Sequence, residues 1–205
     1  MSDYNRPPQQ RQNAPMHDDH HGHHEKSGKA FHELLDCIST DLFTGAAWHL
    51  RAANQMRKIG MRGFARIHDY GSCHDHKKRI CLEKLLCDRL DYEPVIDVSD
   101  AGHVTSFMID PSKLKNHFEM WHANESEFAK YLTEAVRKAA HEDMCVYNEL
   151  ACILNAVQEE IMRIKFIIKR LDVGGWSGHD IGIVNMVIHE HMEKHPDEGL
   201  DFNLG

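Results

Sequence analysis

Apolar residues recur at steps of three and four through four successive stretches of this chain. That period admits long amphipathic helices and little else. The first predicted helix covers residues 31–59 and stops at Gly60; the second covers 61–90. Asp110-Pro111 opens the third, with Asp placed to accept backbone N–H groups and Pro in a first turn that needs no donor. The third runs to residue 140. After a short joint, His141-Glu142-Asp143, the fourth continues to residue 171 and is stopped by Gly174-Gly175. A shorter fifth helix is predicted over 180–194, ahead of Pro196. At 1.5 Å per residue the four long helices each reach about 40 Å.

The connections then limit the topology. Short joins make the first and second helices, and the third and fourth, antiparallel pairs. The segment 91–110 contains Pro94, Gly102 and a β-prone stretch, 104–109. A loop of about 20 residues is uncommon unless it crosses the fold or carries function. Used as a crossover, it returns the chain along the bundle and makes helices 2 and 3 parallel. The expected fold is therefore all-α, a four-helix bundle with a long crossover between helices 2 and 3 and a short fifth helix. A chain of 205 residues suits one full-sized core. The domain is expected over 29–194. A disordered tail rich in Pro, Gln, Asp and His, 1–28, precedes it and an acidic tail, 195–205, follows.

A net charge of −8 argues against a nucleic-acid backbone as partner and suits cations. No run of about 18 apolar residues offers a membrane span. No apolar segment in the first thirty residues resembles a secretory signal. Of six cysteines, none in a C-x-x-C pair, most are expected as small buried side chains, in a reducing cytoplasm.

Each stripe contains an intruder. The third helix gives Leu114, Phe118, Trp121, Glu125, Phe128, Leu132, Ala135 and Ala139; the fourth gives Val146, Leu150, Ile153, Val157, Glu160, Ile164, Ile167 and Leu171. In the first helix Asp41 interrupts Leu34, Ile38, Gly45, Trp48 and Ala52. In the second, Asp75 and Lys78 interrupt Ile67, His68, Gly71, Leu82 and Leu85. A single charge in a stripe is commonly a snorkelling side chain. Charges at matched depth on four helices instead predict one shared polar centre. Converging carboxylates repel unless a cation lies among them, and oxygen ligands between bundle helices suit iron or manganese.

On these residues the chain resembles the ferritin family, especially the bacterial non-haem ferritins. The run Ile153-Leu154-Asn155-Ala156-Val157-Gln158-Glu159-Glu160, followed by Ile167-Ile168-Lys169-Arg170-Leu171, is similar to the family's fourth helix with its Glu-Gln-x-Glu-Glu motif. Gly175-Trp176-Ser177-Gly178 resembles the turn into the family's fifth helix, which lines the four-fold axis of a 24-subunit shell. The resemblance spans residues 31–194. It implies an iron storage or detoxification subunit that self-assembles into a shell, with metal ligands at Asp41, Asp75, Glu125, Glu159 and Glu160.

The departures from that pattern are informative. Where the family's second helix has a bridging glutamate and, one turn on, a histidine, this chain has Asp75 and Lys78; a shifted register gives Lys78 and Cys81. Ala156-Val157 replaces the first glutamate-glutamine pair of the fourth-helix motif, and Trp48 stands in place of a tyrosine. Two readings follow. In one, the five acids still bind iron, with His76 or His122 as replacement nitrogen ligands. In the other, the Lys78 ammonium supplies the positive charge and the centre is a metal-free ion-pair cluster in a structural or co-assembling subunit. The first is preferred here, as a degenerate ferroxidase centre inside a cage. A monomeric or dimeric di-metal oxidase and a mini-ferritin shell are the remaining alternatives, and a fifth helix argues against both.

Histidine is abundant, with 18 copies. His17, His20, His21, His23 and His24 form either a collector of divalent transition metals or a solvated tail. Cys73-His74-Asp75-His76 fans around a helix and cannot converge on one ion. His76 also falls near the place where bacterioferritins carry a haem ligand. His189 and His191 on the fifth helix face different ways.

Overall fold

The computed structural model describes residues 30–99 and 107–195. The two tail expectations, the histidine cluster at 17–24 and residues 104–106 of the β-prone segment lie outside the described residues. Five α-helices and a single 3-10 turn are present, with no strand among the described residues: α1 (Phe31–Lys58), α2 (Arg62–Leu90), the 3-10 turn (Pro111–Lys113), α3 (Leu114–Glu142), α4 (Met144–Val173) and α5 (Gly178–Lys194). The periodicity therefore located every helix to within a few residues. No helix is long and apolar enough to cross a membrane among these residues.

Local chemistry sets the boundaries. Asp110 accepts the Ser112 backbone N–H, so Pro111 begins a 3-10 turn that leads into α3 rather than the α-helix itself. The joint between α3 and α4 shrinks to Asp143, an extended residue whose carboxylate accepts from the N–H groups of Cys145 and Val146. Ser177 caps α5 through the Asp180 N–H. Asn185, from the middle of α5, accepts from the N–H groups of both Gly63 and Phe64 and so caps α2 from another helix. That cap fixes α5 across the start of α2.

The long crossover does climb the bundle. Its start is tied to the beginning of α1, where Tyr92 and the Val95 N–H both donate to Asp36. The Asp97 N–H then donates to Thr40, and Arg51 donates to the Phe107 carbonyl. From Asp36 to Arg51 the helix rises about 22 Å, so the connection returns the chain to the α1 C-terminal end. Consequently α2 and α3 run parallel.

The core is divided. One apolar cluster gathers Ala52, Met56, Phe64, Ile67, Phe118, Trp121, Ile164, Ile167 and Leu171, and Ile181, Val184, Ile188 and Met192 of α5 close it. The other gathers Leu34, Ile38, Leu42, Leu82, Leu86, Leu132, Ala135, Ala139, Leu150 and Ile153. Between them every long helix turns polar. The predicted cysteine burial is wrong: Cys37 is half-buried and the other five are exposed, because they sit on flanks that the stripes leave to solvent.

Candidate metal centre

The layer between the two cores is built from one or two residues per helix. α4 contributes Glu160, 9% exposed in an otherwise apolar stripe. α2 contributes Asp75 and, one turn on, Lys78, 8% exposed. α3 contributes Glu125. α1 contributes His49, 1% exposed, whose Nε2 lies 3.6 Å from Glu160 Oε1 and 3.9 Å from Asp75 Oδ2. His49, Glu125 and Glu160 can each bring one ligand atom within 4.8 Å of the others. Glycines make the close approach of α1 and α2 feasible. A Cβ on Gly71 would stand 2.9 Å from His49 Cε1, and one on Gly45 would stand 2.9 Å from Asp75 Oδ2.

Beside this group a cavity of about 270 Å³ opens between α1, α2 and α3. Asp41, Asp75, Glu125 and Glu127 supply its acids; Trp48, Trp121, Phe128 and Tyr131 supply its aromatic walls. Asp41 thus lines the approach, outside the converging three. Glu159 does not enter. It lies exposed on α4 with its carboxylate 3.3 Å from Arg163, because one residue along a helix turns the side chain about 100° and Glu160 already takes the inward direction. His76 is exposed, and neither it nor His122 joins the converging group. The nitrogen of the converging group belongs to His49, which sequence reasoning missed. The signal was present: Leu42, Gly45, His49, Ala52 and Met56 also step by three and four, and the stripe centred on Trp48 was a third of a turn off.

Electrostatically the layer favours a cation. Burial raises Asp75 and Glu125 well above the usual carboxylate range, and the neighbouring Glu160 raises both further. Burial also raises Glu160, while Lys78 and Arg163 pull it back. Burial lowers Lys78 against the pull of Asp75, Glu160 and Glu125. Its Nζ is buried with no hydrogen-bond partner among the described residues. The Trp121 N–H faces the two glutamates and lowers both slightly, short of hydrogen-bond geometry. Burial holds His49 down to about 3, so it stays a neutral nitrogen donor across the physiological range. One imidazole and two carboxylates are a donor set for ferrous iron, manganese or zinc. Burial desolvates the acids, so they gain strongly from a counter-ion.

His74, His189 and His191 are half-buried and make local contacts. His189 Nε2 lies 3.5 Å from Glu193, and His191 stacks on His195 at 5.0 Å. His74 is lowered to about 4, by burial first and then by Lys78.

No protein-family model and no curated protein matches this chain. Solved structures do. An open-pore ferritin from the hyperthermophilic archaeon Archaeoglobus fulgidus aligns with a TM-score of 0.63 at 17% identity, over 78% of this chain and 94% of that one. A PmFTN variant soaked in iron overnight aligns at 0.65 and 12% identity, over 78% and 99%. A humanized archaeal ferritin aligns at 0.63 and 18%, over 78% and 93%. At such identities the likeness establishes a shared fold.

Proposed function

We propose that this chain, which has the fold of the ferritins, is an iron storage or detoxification subunit whose central ferroxidase site is degenerate. The observation that carries the reading is the donor count. His49, Glu125 and Glu160 converge on one ion's worth of ligands, and the neighbouring buried residue Lys78 brings a positive charge in place of a further ligand. Ferrous iron is the substrate. Asp41, Glu127 and Asp75 draw it through the cavity, and His49 with the two glutamates holds it. A lone ion supplies one electron where a pair supplies two, so dioxygen reduction there is slow. The subunit works in the cytoplasm within a 24-subunit shell, taking up iron and mineralising it on an acidic inner surface. The histidine tail gathers further divalent ions.

Anaerobic titration with ferrous iron, followed by air, tests this. The expected result is one tightly held iron per chain and little fast oxidation. Rapid oxidation at two irons per chain would refute the degenerate site.

A second reading is favoured by the buried ammonium of Lys78: the centre is a metal-free ion-pair cluster in a structural or co-assembling subunit. Lys78→Met separates the two. Removing a positive charge from beside the acids leaves their attraction for a cation unopposed, so cation binding tightens at least ~10-fold if the site takes metal. If Lys78 is the cluster's own counter-ion, the variant is destabilised and binds no ion.

A further inference from the structure

Three buried histidines, from three helices, touch nitrogen to nitrogen. His49 Nδ1 lies 2.9 Å from His68 Nδ1, and His68 Nε2 lies 3.1 Å from His117 Nε2. Trp48 clamps the string, stacked on His117 at 5.2 Å and edge-on to His49 at 5.0 Å and His68 at 5.3 Å. Burial keeps all three rings neutral: His49 is lowered to about 3, His117 to about 4, and His68 well below its ordinary value.

A neutral imidazole has one N–H and one lone pair. Each contact therefore needs an N–H facing a lone pair, and His68, which takes part in both, can donate in only one. Two arrangements satisfy this. In the inward one, His117 Nε2–H donates to His68 and His68 Nδ1–H donates to His49, so His49 Nε2 carries a hydrogen directed at Glu160 and Asp75. In the outward one every donor reverses, His49 Nε2 presents a lone pair to the acids, and His117 Nδ1 carries the last hydrogen. His117 Nδ1 is buried without a partner among the described residues. A stranded N–H is costlier than a stranded lone pair, so the inward arrangement is the resting one.

We propose that His49, His68 and His117 reverse together when a divalent cation takes the His49 Nε2 lone pair, with His68 and His117 acting as positioning residues for that nitrogen. The proposal rests on the reading of His49 as a ligand. The protons balance. The His49 Nε2 hydrogen leaves to water as the cation binds. The His68 Nδ1 hydrogen passes to His49 Nδ1, the His117 Nε2 hydrogen passes to His68 Nε2, and water supplies one to His117 Nδ1. Each ring loses one N–H and gains one, stays neutral, and transfers no electron.

The test is nitrogen NMR of the full chain with 15N-labelled histidine, using zinc as a redox-inert probe. Each ring is assigned by its absence in His49→Phe, His68→Phe and His117→Phe. Without zinc, hydrogen is expected on Nε2 of His49 and His117 and on Nδ1 of His68; zinc should exchange all three. A zinc shift at His49 Nε2 with His68 and His117 unchanged overturns the concerted string and leaves the cation site standing. No zinc effect at His49 overturns the site reading, and the string with it. Affinity gives a second check. His117→Phe strands the His68 N–H of the loaded state and should weaken zinc binding ~10-fold or more. His117→Gln, whose amide oxygen can accept that hydrogen, should bind within a few-fold of the native chain. Equal affinity in the two variants refutes the positioning role.

Discussion

Glu125 illustrates what one residue contributes to this layer. Its carboxyl is raised by burial first and by Glu160 and Asp75 next, so the folded chain holds a proton there that the unfolded chain releases near pH 4. Such a group stabilises the fold below the unfolded pKa, and that contribution is lost as pH rises through the folded one. The histidines act oppositely. His49 and His117 are lowered to about 3 and 4, so their stabilisation is full above about pH 6.5 and disappears as pH falls towards those values. Glu125→Gln isolates the carboxylate arm. Without metal, the variant should exceed the native chain in stability at pH 8 by ~1 kcal/mol or more, since a tenfold difference in proton affinity between the folded and unfolded chains is worth about 1.4 kcal/mol. The difference should shrink at pH 4.5, where native Glu125 is protonated. Denaturant titrations at the two pH values measure this; a gain independent of pH would contradict the assigned cause. Zinc should rescue the native chain at pH 8 and not the variant.

At the scale of the helix, the polar layer exists because two glycines let α1 and α2 approach. Gly71 faces His49, with 2.9 Å between an added Cβ and two atoms of the ring. That ring is pinned by His68, Trp48 and Trp121 and cannot swing aside. Gly71→Ala should therefore cost ~1–3 kcal/mol by overpacking and tilt His49 away from the glutamates, lowering zinc affinity as well. Gly182 on the exposed side of α5 meets nothing within 4 Å, so Gly182→Ala should gain up to ~1 kcal/mol from helix propensity alone. Paired melting curves and zinc titrations decide the matter, and a Gly71→Ala chain with unchanged affinity would show that His49 has room to spare. The elements themselves were legible in advance, since the three-and-four step, Asp143, Asp110 and the glycines after Val173 are local signals. Their rotation was less so. The apolar stripe already pointed Glu160 inward, whereas Glu159 rested on the family resemblance alone, and the structure leaves it on Arg163.

For the whole molecule, the layer separates two apolar clusters as a bundle built around an internal site requires. Leu50, Ile80, Val95, Val98 and Met108 remain exposed on α1, α2 and the crossover. The proposed cage function predicts a shell of about 24 subunits, and native mass measures it. A mass of one or two subunits would return the chain to the class of simple bundle oxidases. The sequence by itself determined the helices, the crossover and one buried acid on most of the long helices, because helical period and capping depend only on neighbours in the chain. Only the tertiary structure decided that His49 converges with Glu125 and Glu160, that three histidines form one string and that Lys78 lies beside the acids unpaired. Those facts depend on how each helix is rotated about its axis, and side chains distant in sequence set that rotation.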